Sequence, residues 1–216
     1  MDINEYTVLS KELQKLSKSM PLHWGTIQNN KTDSKINMFR YKTLHQLESA
    51  IINLNQDTKD YFKRRWFIWQ CSRIDEYLSY KSTNILKNPN SKDQDWDIEF
   101  NGDSKLRFDI KGTIVPKNMR ISFKTSNEKE LITSYYKNQS KGVRHHIQNR
   151  LFIVHHSELQ TERNMFLRCH WKLKEEAYNY FIKHIINTEF ISYKTAISKC
   201  IFILESESNE FSFKIN

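Results

Sequence analysis

Glycine and proline are scarce, with four and three among 216 residues. No glycine-rich P-loop and no dinucleotide fingerprint is present, which excludes those two modes of nucleotide binding. No Gly/Ser-rich linker, internal repeat or low-complexity tract divides the chain. Cysteine is equally rare. Cys71, Cys169 and Cys200 are odd in number and far apart, a pattern that speaks against a disulfide framework or a structural zinc site and for a reducing compartment. Long apolar runs are missing as well, since nothing approaches the roughly 18 residues that a membrane span requires. No signal-peptide pattern opens the sequence. No serine or cysteine nucleophile stands beside a local partner. The expectation is a cytoplasmic chain with no membrane partner.

What is present suffices for a core. Hydrophobic residues make up 38% and aromatics 13%, enough at this length for one good apolar interior with a helical appendage. The formal net charge is +9. That excess points to an anionic partner, nucleic acid first and an anionic membrane surface second. A lysine-rich protein with no such partner is the bland alternative.

The stretch Asp93–Gly112 organises the rest. Trp96, Ile98 and Phe100 alternate with Asp95, Asp97 and Glu99, and Leu106, Phe108 and Ile110 alternate with Arg107, Asp109 and Lys111. Alternation with period two marks half-buried strands, and Asn101-Gly102-Asp103-Ser104 supplies the turn between them. The two apolar faces coincide only if the loop has an odd number of residues. A five-residue loop, Asn101–Lys105, sets Asp97 opposite Asp109, Glu99 opposite Arg107 and Asp95 opposite Lys111. A three-residue loop instead sets Asp95 opposite Asp109 and Asp97 opposite Arg107. Like charges directly opposed are destabilising, so an Asp–Asp pair calls for a cation between them. Carboxylate oxygens supplemented by water suit Mg²⁺, which is seldom held in an all-protein cage.

Asp97, followed by Asp109-Ile110-Lys111 on the next strand, resembles the PD-(D/E)XK signature of restriction-endonuclease-like nucleases. The resemblance covers the hairpin and, more loosely, Tyr61 to His156; Trp96 stands where a proline often precedes the first acid. It implies an α/β (α+β) fold with a central mixed β-sheet flanked by helices. It also implies Mg²⁺, replaceable by Mn²⁺, on Asp97, Asp109 and the Ile110 carbonyl, with Glu76 as auxiliary ligand. A surface ion pair between Arg73 and Glu76 is the competing reading of that glutamate. An exposed Asp109–Lys111 pair on a solvated sheet face is the competing reading of the motif.

Along the chain, Asn4–Ser19 has amphipathic helical spacing, and Pro21 and Gly25 break it. Asn29–Ser34 is turn-like, Ile36–Tyr41 has the look of a short strand, and Thr43–Asn55 that of a second helix. Residues 1–60 form a helical elaboration packed on a core of residues 61–216, one structural domain in all. Tyr61–Tyr80 is a helix with Phe67, Cys71, Ile74 and Leu78 inward and Trp69, Arg73, Glu76 and Tyr80 on the neighbouring stripe. Gly112–Pro116 continues the second hairpin strand, Arg120–Thr125 is a third strand, Glu128–Asn138 a helix and Asn149–His156 a buried strand. The resulting order, helix, three strands, helix, strand, matches the core of the nucleases resembled. A helix over Arg163–Ile186 follows, with Arg163, Arg168, Lys172 and Lys174 as a basic stripe or simply a solvated face. Cys200–Leu204 and Glu210–Ile215 make a terminal hairpin.

Phosphodiester hydrolysis needs an activated water and relief of charge on the phosphate. Asp97, Asp109, Lys111 and Glu76 are the catalytic candidates, with Lys111 placed to orient or deprotonate the water or to stabilise developing charge. Asp95 is the alternative first acid. Lys63, Arg64, Arg65, Gln148 and Arg150 are candidate nucleic-acid contacts, although basic stems lying over apolar surface explain the first three equally well. His145-His146 and His155-His156 form no HNH-type pattern and are expected to be ordinary polar residues. The expected partner is double-stranded DNA, with a homodimer by analogy alone. A nucleic-acid-binding module without catalysis and a regulatory interaction protein remain the alternatives.

Overall fold

Twenty-four residues without glycine or proline, Gln56–Ser79, form the longest helix, α4. The computed structural model describes residues 1–19, 30–81, 84–90, 93, 95–138, 147–160 and 162–216. Asn55 caps α4 by accepting the Thr58 N–H at 2.9 Å, which satisfies one of the free donors at a helix start. The helix therefore begins before the expected Tyr61. Phe67, Cys71, Ile74 and Leu78 are buried as their spacing predicts, and Trp69, Arg73, Glu76 and Tyr80 form a half-buried stripe beside them.

Ahead of α4 come α1 (Ile3–Ser19), the single turn α2 (Asn30–Asp33) and α3 (Leu44–Ala50). Leu9, Leu13 and Leu16 of α1 join the same apolar cluster as α4 and the sheet. Thr43 opens α3 in a reciprocal capping box with Gln46, and the helix stops at Ala50, short of the expected Asn55. Ile36–Tyr41 is not a strand. Asn37 accepts the Phe39 N–H at 3.2 Å and starts a 3₁₀ turn over Met38–Arg40. The Tyr41 carbonyl, which a strand would pair, instead accepts the Trp66 indole N–H at 2.7 Å. Pro21, Gly25 and Asn29 lie outside the described residues.

Among the described residues seven strands form one mixed sheet: β1 (Ile85–Lys87), β2 (Ile98–Phe100), β3 (Arg107–Ile114), β4 (Arg150–Ser157), β5 (Ile191–Tyr193), β6 (Ala196–Glu205) and β7 (Phe211–Lys214). Their order is β1-β2-β3-β4-β6-β5, with β7 also against β6. The centre, β3-β4-β6, is parallel and the other pairings are antiparallel. Helix α5 (Glu128–Asn138) connects β3 to β4 and packs Leu131, Ile132 and Tyr135 on Phe152 and Phe202. The other face is covered by α1, α4, α6 (Arg163–Leu167) and α7 (Trp171–His184). Two covered faces explain why Leu151–Val154 is apolar at every position.

The middle of the chain thus runs helix, three strands, helix, strand, but the third strand is not the expected one. Arg120–Thr125 bends: Arg120 Nε donates to the Val115 carbonyl at 3.0 Å, and Ile121 is fully exposed. The missing member is β1, only three residues long with Ile85 alone buried. In the last third, the expected helix Arg163–Ile186 is broken at Arg168–His170 into α6 and α7. The four basic residues of that helix do not share one face: Lys172 is exposed and Arg163 half-buried. Arg168 and Lys174 are buried, with Lys174 paired to buried Asp75 and Arg168 donating to Ser72 Oγ at 3.2 Å. Buried cations persist where such partners exist. Cys71 and Cys169, remote in sequence, meet in the core as free thiols with their sulfurs 4.0 Å apart. The hairpin β6–β7 lies where the terminal hairpin was expected. Among the described residues no helix is long and apolar enough to cross a membrane.

Candidate active site

The hairpin β2–β3 fixes the site. Asn101 and Gly102 both take positive φ, 54° and 71°, and the Asp103 N–H closes on the Phe100 carbonyl at 2.9 Å. This Asn-Gly turn matches the right-handed twist of the flanking strands. The pairs Ile98↔Phe108 and Glu99↔Arg107 follow, the register of the five-residue loop. Past Ile98 the regular pairing ends: the Asp97 N–H donates to the Phe108 carbonyl at 2.8 Å, and the Asp97 side chain lies beside that of Asp109. Ile98, Phe100, Phe108 and Ile110 enter the core. Trp96 stays half-buried, with the Arg107 guanidinium 4.7 Å from its ring centre.

Each carboxylate of the pair is held by its surroundings. Asp97 Oδ2 accepts the Ile110 N–H at 2.7 Å. Extended backbone turns the N–H and C=O of one residue to the same edge, so the Ile110 carbonyl faces the Asp97 side as well. Asp109 is 4% exposed. Its Oδ1 lies 2.8 Å from Lys111 Nζ and its Oδ2 lies 3.4 Å from Arg150 Nε. Burial, followed by the Asp109 charge, pushes the Asp97 carboxyl up to about 6, against the opposing pull of the Ile110 N–H and Lys111. Glu76, near the C-terminal end of α4, is pushed up to about 7, first by burial and then by the Asp97 charge; Lys87, Lys111 and Arg73 offset part of this. The glutamate therefore belongs electrostatically to the Asp97–Lys111 group. Arg73 makes its ion pair with Glu5.

These residues fit a hard divalent cation. Two adjacent, desolvated carboxylates repel each other, and a dication between them relieves that repulsion. Among the described residues no three His, Cys, Asp or Glu side chains form a ready-made cage. An ion held here would therefore keep several waters, as Mg²⁺ prefers.

The other expected positions divide. Asp95 is exposed, accepts from Gln148 Nε2 at 2.6 Å and stands away from Asp109 in the register. Lys63 pairs with Glu48 at 2.6 Å and Arg65 with Asp33 at 3.1 Å. Together with half-buried Arg64 they sit about 17–20 Å along the α4 axis from Glu76, at about 1.5 Å per residue. Arg150 is buried behind Asp109, because β3 and β4 pair Asp109 with Arg150. His155 is fully buried with Nδ1 3.1 Å from the Thr113 carbonyl, and burial lowers its pKa well below the usual value. His156 packs on Phe123. His145 and His146 lie outside the described residues. Lys87 and Tyr136 were missed in the sequence: Lys87 rides on the unnoticed β1, and Tyr136 reaches the site only through the α5–sheet packing that puts it under Arg150. Comparison of the chain with family models, curated proteins and solved structures gives no match, so the site rests on its own geometry.

Proposed function

We propose that this chain is a metal-dependent nuclease of the restriction-endonuclease-like class, hydrolysing phosphodiester bonds in DNA. The observation that carries the reading is the adjacency of the Asp97 and Asp109 carboxyls at the end of the β2–β3 pairing, with Lys111 two residues along the same strand and 2.8 Å from Asp109. Asp97, Asp109 and the Ile110 carbonyl would hold Mg²⁺ or Mn²⁺, with Glu76 as an auxiliary ligand acting through a coordinated water. Bound there, the ion supplies charge relief at the phosphate and lowers the pKa of a coordinated water. The protein's own groups do the rest. Asp97 and Asp109 are fixed by the hairpin register before any substrate arrives, which removes reorganisation from the reaction. Lys111, about one-third exposed at its side chain, can leave Asp109 Oδ1 to hold a proton near the attacking water or to face the phosphate. Two copies of the chain would cut both strands of a duplex, an arrangement taken by analogy alone.

A second reading, a nucleic-acid-binding module or regulatory interaction protein without cleavage, draws on the lack of a three-ligand cage among the described residues. One assay separates the two. Linear, circular and branched DNA is incubated with Mg²⁺, Mn²⁺ or EDTA, using wild type and Lys111→Ala. The nuclease reading expects metal-dependent cutting that the substitution lowers at least 100-fold, in line with the loss of a general acid–base group. Binding of every substrate with no cutting by wild type supports the module instead.

A further inference from the structure

Arg150 is built into the site from behind. Its backbone is in register with Asp109 on the adjacent parallel strand, so both side chains leave the same face of the sheet. It is 6% exposed, which removes it from any surface that nucleic acid could reach. Its Nε sits 3.4 Å from Asp109 Oδ2, and its guanidinium carbon lies 5.3 Å from the centre of the Tyr136 ring. Tyr136 is itself fixed, with its hydroxyl 2.5 Å from the Gln148 carbonyl and 2.7 Å from Ser198 Oγ. The two cations on Asp109 are therefore unlike. Lys111 is partly exposed and contacts Oδ1, whereas Arg150 is locked in the interior against Oδ2.

We propose that Arg150 is a positioning residue: held by Tyr136, it fixes Asp109 through Oδ2 so that Oδ1 is presented as the metal ligand. The inference rests on the metal-dependent reading above. An incoming ion or substrate can displace the Lys111 ammonium but not the buried guanidinium, so Arg150 keeps one oxygen turned inward in both conditions. Asp97 follows a similar plan, with Oδ2 tied to the Ile110 N–H by a hydrogen bond where Asp109 Oδ2 has the ion-pair contact with Arg150. An arginine fits this role better than a lysine because its planar fork can face a carboxylate while stacking on an aromatic ring.

The test uses EDTA-treated full-length protein titrated with Mn²⁺ by calorimetry, in wild type, Arg150→Gln, Arg150→Lys and Tyr136→Leu. DNA binding without metal is measured in parallel at two salt concentrations. Loss of a partner that orients a metal ligand costs about 10- to 100-fold in affinity. Arg150→Gln is expected to weaken Mn²⁺ binding by that factor, Arg150→Lys to recover part of it, and Tyr136→Leu to fall between. DNA affinity and its salt slope should stay within twofold of wild type. Tyr136→Leu leaves the buried charge pair in place and so decides the matter if Arg150→Gln does not fold. Unchanged Mn²⁺ affinity in folded variants overturns the proposal, as does a DNA affinity that drops with a salt slope lower by about one unit, the mark of a phosphate contact. A wild type that binds Mn²⁺ but cuts no DNA would retire the nuclease reading and leave the Arg150 comparison intact. A wild type that binds no Mn²⁺ ends both.

Discussion

Asp97 and Glu76 hold their protons to about pH 6 and about pH 7, because the fold takes both out of water and sets them beside other carboxylates. A carboxyl whose pKa is raised on folding binds more protons in the folded state than in the unfolded one. Its contribution is therefore fully present below the unfolded pKa, near 4, and is lost as pH climbs through the folded value. Stability should fall between about pH 4 and pH 7 and level off above. Asp97→Asn and Glu76→Gln remove that penalty, so each variant should be more stable than wild type at pH 8 by about 1–3 kcal/mol and should converge with it near pH 4.5. Urea unfolding at the two pH values checks this. Variants no more stable than wild type at pH 8 would show that the carboxyls are not strained. Functional carboxylates that weaken the fold they sit in are a common trade.

At the scale of elements, the hairpin was legible and its surroundings were not. Alternation over Trp96–Phe100 and Leu106–Ile110, with Asn101-Gly102 between, contains the information for two strands, and its odd-loop constraint leaves only the two registers. The observed pairs Ile98↔Phe108 and Glu99↔Arg107 belong to one of them, the one that brings Asp97 beside Asp109. Strand β1 left no such trace, since three residues with one inward side chain carry no period. Nothing local announces that Arg150 will lie beside Asp109, because parallel partners are chosen by the crossover through α5. Arg168 and Lys174, expected on a basic stripe or a solvated face, are buried for a related reason: their partners, Ser72 and Asp75, come from α4.

The two glycines of this region make separate demands. Gly102 has φ +71° with open space around it, whereas a Cβ on Gly112 would lie 2.6–2.8 Å from the buried Arg168 guanidinium. Gly102→Asn should be nearly neutral, since asparagine tolerates the left-handed region. Gly112→Ala should cost about 1–3 kcal/mol through overpacking. Thermal unfolding of the two variants tests the contrast, and equal effects would contradict it.

Across the whole molecule one apolar cluster runs from Leu9 and Leu13 of α1 through α4 and α7 to Ile201 and Ile203 of β6. The first helix is therefore part of the interior that supports α4, and through α4 it supports Glu76. The +9 charge is not a uniform basic coat, because Lys63, Arg65, Arg163, Lys174 and Lys199 are paired with carboxylates within the chain. The remaining excess should still bind DNA electrostatically. Affinity measured without metal should fall linearly on a logarithmic salt scale, by about 0.9 per phosphate neutralised. Affinity indifferent to salt would remove nucleic acid as the partner.

The central claim is that Asp97 and Asp109 jointly ligate a divalent ion. Crystals soaked in Mn²⁺ and measured for anomalous scattering test it most directly. The account predicts a peak bonded to a carboxylate oxygen of each aspartate, lost in Asp109→Asn. A peak elsewhere, or none at a concentration that supports cleavage, would contradict it.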